Sequence, residues 1–288
     1  MFAIGPIQDR HQSAVLTPAW IEIGRVKSVV PLLQLHRRYR TMNHESLKRL
    51  DWEEVSLGVQ RGMTALQELA ARTPDSPVKQ AVVSVIEGDF YRMLGRYCRA
   101  NGKPEIGHLN AVCSRWGHYI DFIKQRGWSD PFKNTDLAYA WYRKGEILRE
   151  QFNWNGAGEA YQNALTFFEE ALKTEERDFR KSAQLSLRCG ECLVNLGFLE
   201  VERYNLYKAA ILFQRAFCSS EEALAKYLQF DKEDEISASL LRNVSIAHEH
   251  HYRCYEQLKS EHRYSPVSEG EWREFAFAAA RHRRGLRT

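Results

Sequence analysis

The chain has 288 residues, of which 44% are hydrophobic and 27% charged, so it is long enough to bury a sizeable core. No apolar run approaches the roughly 20 residues that a membrane-spanning helix requires, which favours a cytoplasmic protein, with an organellar location left open. Residues 1–44 and 281–288 each contribute a net charge of +4, and the body between them is mildly acidic. A general nucleic-acid binder would need a basic face on its body; here only the two ends are suited to contact RNA or an acidic protein.

Apolar residues recur at helical spacing through most of the chain, and the sustained alternation that marks β-strands is absent. The first apolar stripe runs along residues 47–69. Breaker clusters rich in Pro, Gly, Asn and Asp then separate two further predicted helices, at about 78–98 and 106–125. Asn134 or Thr135 is a candidate cap for the helix that follows. The sequence therefore predicts an all-α protein.

The composition also predicts a division of the chain into three parts. Residues 1–44 form a basic N-terminal segment, residues 45–262 a helical-repeat domain, and residues 263–288 a basic C-terminal tail. Because charged ends of this kind attract partners of opposite charge, we expect the ends to take part in binding; the alternative is that they are solvated tails.

A pattern of small and aromatic residues begins near residue 141. Trp141, Gly145, Ala157, Tyr161 and Ala164 have a spacing that resembles the tetratricopeptide repeat, a hairpin of two antiparallel helices. In such a hairpin the small residues let the two helices approach closely, and the aromatic side chains fill the space towards the next hairpin. The resemblance implies a right-handed array of helical hairpins, similar to an α-solenoid, with a groove that binds other proteins.

Two further hairpins are expected after this one. The second copy of the pattern is formed by Gly190, Gly197, Phe213 and Ala216. It is predicted to carry about seven extra residues between its helices, around residues 201–207. The third hairpin is predicted at about 219–228 and 234–258, where the period continues without the signature residues. The tetratricopeptide-like pattern thus covers residues 137–217.

A second resemblance involves residues 50–95 and 239–245. The segment Glu87–Leu94 is similar to the signature helix of the 14-3-3 family, and Leu240–Asn243 resembles a second family motif. The family binds phosphopeptides, and the resemblance implies that the binding residues here are Lys27, Arg38, Arg92 and Asn243. Clustered basic side chains suit this task because they form charge-assisted hydrogen bonds with a phosphate dianion.

The 14-3-3 pattern is incomplete in this chain, which leaves an alternative open. Met93 stands where the family has a phosphate-binding tyrosine, and Arg92 and Asn243 are some 50 residues further apart than the family pattern. The alternative is that the segment containing Arg92 is one more repeat helix, with Gly88 at the point where two helices cross.

Potential metal ligands are concentrated near residue 250. His248, His251 and Cys254 are spaced by three, so a helix would bring them along one face. Such a group could bind zinc, and the alternative is an ordinary polar helix face. Cys189 and Cys192 have the spacing of a redox or zinc motif, but they lie within a helical pattern and are interpreted as core residues.

The sequence contains no nucleotide-binding or nucleophile motif, and no cofactor is indicated. The main functional hypothesis is therefore a non-enzymatic scaffold or assembly subunit that binds other protein chains. The alternatives are a phosphopeptide-binding adaptor and a metal-binding helical enzyme.

Overall fold

A computed structural model describes residues 48–72, 76–103, 105–125, 133–174, 178–229 and 235–260. Within these ranges the chain forms eight α-helices and no strand. The helices are α1 (Trp52–Arg72), α2 (Pro77–Ala100), α3 (Ile106–Gln125), α4 (Lys133–Glu150), α5 (Trp154–Thr174), α6 (Phe179–Glu202), α7 (Leu206–Leu228) and α8 (Glu235–Ser260). From α1 to α5, and again from α6 to α8, each helix packs against the next, so the predicted all-α fold of antiparallel helical hairpins is confirmed.

The predicted cap of α4 is wrong. The helix begins at Lys133, so Asn134 and Thr135 already lie in its first turn. Thr135 and Asp136 are buried there, and Asp136 lies in the first turn, near the positive end of the helix dipole. Asp178 is a true cap: its carboxylate accepts a hydrogen bond from the backbone N–H of Lys181 at the start of α6.

The contacts divide the chain into two compact units, residues 1–174 and residues 175–288. In the first unit, apolar side chains of α1 to α4 form one continuous core that includes Leu66, Phe90 and Ile120. In the second unit, α6, α7 and α8 enclose a smaller core that contains Tyr227 and Leu240. None of the helices in the described ranges is long and apolar enough to cross a lipid bilayer.

The same turn closes three hairpins, α2–α3, α4–α5 and α6–α7. Gly102, Phe152 and Tyr204 each follow a helix end in the left-handed conformation, with φ of 64°, 59° and 57°. In each turn, the backbone N–H of the residue after the left-handed one donates a hydrogen bond, at 2.8 to 2.9 Å, to the carbonyl oxygen of the residue five positions earlier in the helix. This is the Schellman arrangement, which satisfies carbonyls that a helix end leaves without partners.

The repeated turn corrects the predicted second and third hairpins. Only residues 203–205 separate α6 from α7, so the seven extra residues expected around 201–207 do not exist as a loop; most of them continue the two helices. The segment 219–228 is not a separate helix, because α7 runs unbroken to Leu228, and α8 then packs on both α7 and α6. The error came from aligning Gly190, rather than Gly197, with Gly145.

Candidate functional site

A glycine lies seven residues before each of the three left-handed turn residues, at positions 95, 145 and 197. Each glycine faces a side chain of the second helix of its hairpin. A Cβ at Gly145 would lie 2.9 Å from the ring of Tyr161, and a Cβ at Gly197 would lie 2.7 Å from the ring of Phe213. At Gly95 the same atom would lie 3.3 Å from Leu109. At Gly145 and Gly197 the aromatic ring therefore lies so close to the helix that an added Cβ would overlap it.

The other signature residues surround these contacts. Ala157 and Ala164 are buried beside Tyr161, and Ala216 is buried beside Phe213. Trp141 is half-buried, with the ammonium groups of Lys124 and Lys144 at 4.9 and 5.1 Å from its ring. Each ammonium group lies over the face of the ring, and the electron-rich face of an aromatic ring attracts a cation.

Gly190 has a different neighbourhood from Gly145 and Gly197. It faces Ser220 of α7 and Asn243 of α8, and a Cβ there would overlap the polar ends of both side chains. The amide of Asn243 donates a hydrogen bond to the hydroxyl oxygen of Ser220 at 3.1 Å, and both residues are buried. This small polar contact joins the three helices of the second unit.

Arg92 on α2 pairs with two carboxylates of α4. Its guanidinium donates hydrogen bonds to Glu146 and to Glu150, both at 3.1 Å. Arg143 also donates to Glu146 at 2.6 Å, and Arg99 lies 3.7 Å from Glu150. We call these five residues the α2–α4 ionic face.

The charges of the α2–α4 ionic face stabilise one another. Burial opposes ionisation of Glu146, but Arg143 and Arg92 outweigh it and lower the pKa of that carboxyl to about 2. Burial likewise opposes the charge on Arg92, yet the two glutamates raise its pKa above the ordinary value. Glu146 and Arg92 are therefore both ionised at neutral pH, because the charged form of each is stabilised by opposite charges.

The residues of the phosphopeptide hypothesis are distributed as follows. Lys27 and Arg38 lie outside the described residues. Arg92 belongs to the first unit, where its guanidinium donates hydrogen bonds to Glu146 and Glu150. Asn243 belongs to the second unit, and its side chain is buried, with the residue 5% exposed. Gly88 lies against the side chains of Arg115 and Trp116 of α3, as expected for a small residue at a helix crossing.

The histidines of α8 lie among aromatic rings. The ring of His250 is 4.6 Å from that of Phe198 and 5.5 Å from that of Phe213, and the ring of His248 is 5.9 Å from that of Phe217. His251 is almost fully buried, and burial, with a smaller contribution from His248, lowers its pKa to about 4. In the folded protein at pH 7, the side chain of His251 is therefore neutral.

His248, His251 and Cys254 were the candidate metal ligands. Burial raises the pKa of the Cys254 thiol to about 11, which disfavours the thiolate that zinc requires. In the described part of the chain, no group of three or more His, Cys, Asp or Glu side chains is arranged to hold a metal ion. Cys189 and Cys192 are buried within α6.

Sequence reasoning missed the exposed aromatic turn residues. Phe152 is 74% exposed and Tyr204 is 87% exposed, in a backbone conformation that favours glycine. The signal was available in the sequence: a shift of 52 residues superimposes Gly145 on Gly197 and Phe152 on Tyr204. The period of 50 to 52 residues is longer than the 34 residues of a tetratricopeptide repeat.

No family model matches the chain, and no curated protein matches it. Among solved structures, the chain is similar to one described as "Computational Design of Self-Assembling Cyclic Protein Homooligomers". The two are 11% identical with a TM-score of 0.31, and the match covers 86% of this chain and 98% of the other. A likeness of that size carries no argument about fold or function.

Proposed function

We propose that this protein is a non-enzymatic scaffold or assembly subunit that binds other protein chains through the faces of its helical hairpins. The observation that carries the proposal is the repetition of one hairpin design, with the same glycine, the same turn and the same hydrogen bonds at residues 95–103, 145–153 and 197–205. Repeated hairpins expose successive helix faces at regular intervals, and proteins built in this way commonly use those faces for binding.

In the first unit, the α2–α4 ionic face is the surface that best suits a partner. It carries paired charges from two neighbouring helices, and its arginine and glutamate side chains are only partly exposed. Charged groups already held in place lose little conformational entropy when a polar partner binds. Arg99, the most exposed of the five, stands at the edge of the face.

Site-specific photo-crosslinking tests the proposal. The full chain would carry a photo-reactive phenylalanine analogue either at Arg99 or, as a control, at the exposed position Tyr252 of α8. Crosslinking in the native cell extract should attach a distinct protein at least several-fold more strongly at position 99 than at position 252. Equal labelling at the two positions, or none, would contradict binding at the α2–α4 ionic face.

The basic ends of the chain allow a second test of partner binding. Removal of residues 265–288 should weaken capture of an acidic partner, or of RNA, because four arginines lie in residues 281–288. The helical melting transition should be unchanged. If the truncated chain unfolds, the tail belongs to the folded body, and a loss of capture then says nothing in favour of electrostatic binding.

The phosphopeptide alternative remains a prediction. Arg92 would have to give up two carboxylate partners to bind a phosphate. That exchange costs more free energy than binding the phosphate through an arginine whose side chain is exposed to solvent. Phosphate-dependent binding of a phosphopeptide library to the unmodified chain, abolished by Arg92→Ala, would support it. The metal-enzyme alternative requires a stoichiometric metal ion in the purified protein, which elemental analysis measures.

A further inference from the structure

Helix α7 and the turn residue Tyr204 that precedes it carry a line of exposed apolar residues. The exposed fractions are 87% for Tyr204, 49% for Tyr207, 41% for Ile211 and 49% for Leu228. Cys218 and Ala225 are also exposed and lie on the same line. With the polar residues Gln214 and Glu221, the eight positions follow one another at alternating steps of three and four, and we call them the α7 seam.

The hairpin fold does not require the apolar residues of the α7 seam. Helix α5 occupies the equivalent place in its own hairpin, 52 residues earlier, with the same turn and the same glycine contact. There the positions equivalent to Tyr207, Ile211 and Cys218 are Asn155, Glu159 and Thr166. Tyr204 has an exposed aromatic equivalent in Phe152, but the other three positions are polar in α5, so the hairpin does not need the apolar residues there for its packing.

The spacing of the seam indicates the kind of surface that covers it. Alternating steps of three and four keep residues in line when two helices lie side by side at a shallow angle, as in a coiled coil. The 23 residues of α7 extend over about 34 Å, so a second helix of similar length can contact the whole seam. Tyr204 begins the seam in the left-handed conformation, which displays its ring at the end of the helix.

The charges beside the seam indicate which helix packs against it. Lys208, Arg215 and Glu222 follow one another at intervals of seven along one flank, with the acidic residue, which pairs with Lys226, towards the end of the helix. An antiparallel pair of α7 helices brings Lys208 of each copy to Glu222 of the other, and these two attractive contacts outnumber the one repulsive contact between the two Arg215 side chains. A parallel pair would place equal charges at equal heights, which is unfavourable.

We propose that two copies of this chain associate through antiparallel packing of their α7 seams around a two-fold axis. A two-fold interface requires a surface that is complementary to itself, and the apolar seam with a flank of changing sign meets that requirement. With all eight seam positions paired, Tyr207 lies against Ala225 and Ile211 against Glu221 of the second copy, and Tyr204, in the turn before α7, lies at the end of the contact near Leu228. The same register brings Cys218 to Gln214 of the second copy and Lys208 near its Glu222.

The existing contacts of the flank are compatible with this pairing. Lys208 donates to the buried Glu200 at 3.0 Å but keeps a 58% exposed side chain, and an ammonium group has three donors. Glu222 accepts from Lys226 at 2.6 Å, and its side chain is 68% exposed. Both groups can therefore gain a partner without losing the one they have. The inference does not depend on the proposed binding of other proteins.

The mass of the full chain in solution tests the association. At about 100 µM chain, a Kd of about 10 µM leaves most molecules dimeric, so light scattering should give about twice the mass of one chain. The double variant Tyr207→Asn/Ile211→Glu installs the residues that α5 carries at the equivalent positions, and it should reduce the mass to that of one chain. Thr166→Glu, on the equivalent face of α5, is the matched control and should leave the dimer intact.

Disulfide trapping tests the orientation. Gln214→Cys should form a covalent dimer with Cys218 of the second copy on mild oxidation, and adding Cys218→Ser should abolish it. A monomeric unmodified chain would overturn the proposal, as would a dimer that the Tyr207→Asn/Ile211→Glu variant does not dissociate. Crosslinking of Cys218 to Cys218 in the unmodified chain that is as fast as crosslinking of the Gln214→Cys variant would overturn the proposed register, because that register sets Cys218 against Gln214 of the second copy.

Discussion

The hairpins α4–α5 and α6–α7 have the same interior geometry and different surfaces. Both close with a left-handed aromatic residue, and both place a glycine beneath an aromatic ring. The second helix is polar on its outer face in α5 and apolar in α7. Contacts inside a hairpin set its geometry and must be repeated, whereas the outer face makes none of them and is available for function.

The two units also differ in how polar groups are used. The first unit joins α2 and α4 through charged pairs centred on Arg92, while the second joins its three helices through the neutral contact between Ser220 and Asn243 over Gly190. The predictions below test these differences.

Gly190→Ala should have the largest effect. The new methyl group would overlap both Asn243 and Ser220, so it would either displace a helix or break their hydrogen bond. We expect a loss of about 4 kcal/mol in the free energy of unfolding, from overpacking together with two buried polar groups left unpaired. Chemical denaturation followed by circular dichroism measures it.

The control for Gly190→Ala is Gly117→Ala in α3. Its nearest neighbour, the Lys144 ammonium, would be 3.9 Å from the new methyl group, and alanine is the better helix former by about 1 kcal/mol. This variant should be as stable as the unmodified chain or more so. Equal stabilities of the two variants would show that the packing around Gly190 is loose.

Between about pH 6.5 and 4, acid should weaken the second unit more than the first, where burial lowers the pKa of His108 by less than that of His251. The lowered pKa of His251, about 4, means that the unfolded chain binds a proton which the folded unit excludes, so stability falls as the pH drops from about 6.5 to 4. The lowered pKa of Glu146, about 2, stabilises the first unit above pH 4.5, and this contribution is lost only between about pH 4.5 and 2. Each contribution is at most about 3 kcal/mol.

Hydrogen exchange followed by mass spectrometry measures the protection of each unit separately, once the rates are corrected for the pH dependence of intrinsic exchange. Peptides from α8 should lose protection between pH 6.5 and 4, when those from α4 are still protected. His251→Gln should remove most of the pH dependence of α8. Simultaneous loss of protection in both helices would contradict the assignment to these two groups.

Gly145→Ala and Gly197→Ala should cost similar amounts, about 2 kcal/mol each, because in both hairpins the methyl group would press on an aromatic ring. Thermal melting of the two variants is the measurement. If one variant is unaffected, the equivalence of the two hairpins does not extend to their packing energy.

Phe152→Gly and Tyr204→Gly should have the smallest effect, a gain of about 1 kcal/mol each, because glycine adopts the left-handed conformation without the strain of a side chain. Gly102→Ala should lose a similar amount for the opposite reason. The same melting experiment measures all three. A stabilised Tyr204→Gly variant that also dimerises more weakly would show that the strained tyrosine serves the α7 seam.

Some features could be predicted from the sequence because they depend on short-range patterns. The period of the apolar residues predicted helices, and α3 begins and ends at the predicted residues. The spacing from Gly145 to Tyr161 identified the first hairpin, since both residues belong to one local contact. The error at Gly190 arose because two glycines on one helix are indistinguishable until their neighbours are known.

By itself, the sequence determined that this chain is helical, where most helices lie and which small residues permit close packing, because these depend on residue order within one or two helices. The tertiary structure alone decided that Arg92 pairs with Glu146 and Glu150, more than 50 residues away, and that Asn243 is buried against Ser220. It also decided that the apolar line on α7 faces outwards. The physical reason is that the partner of a side chain depends on which helices become neighbours, and that is set by the packing of the whole unit.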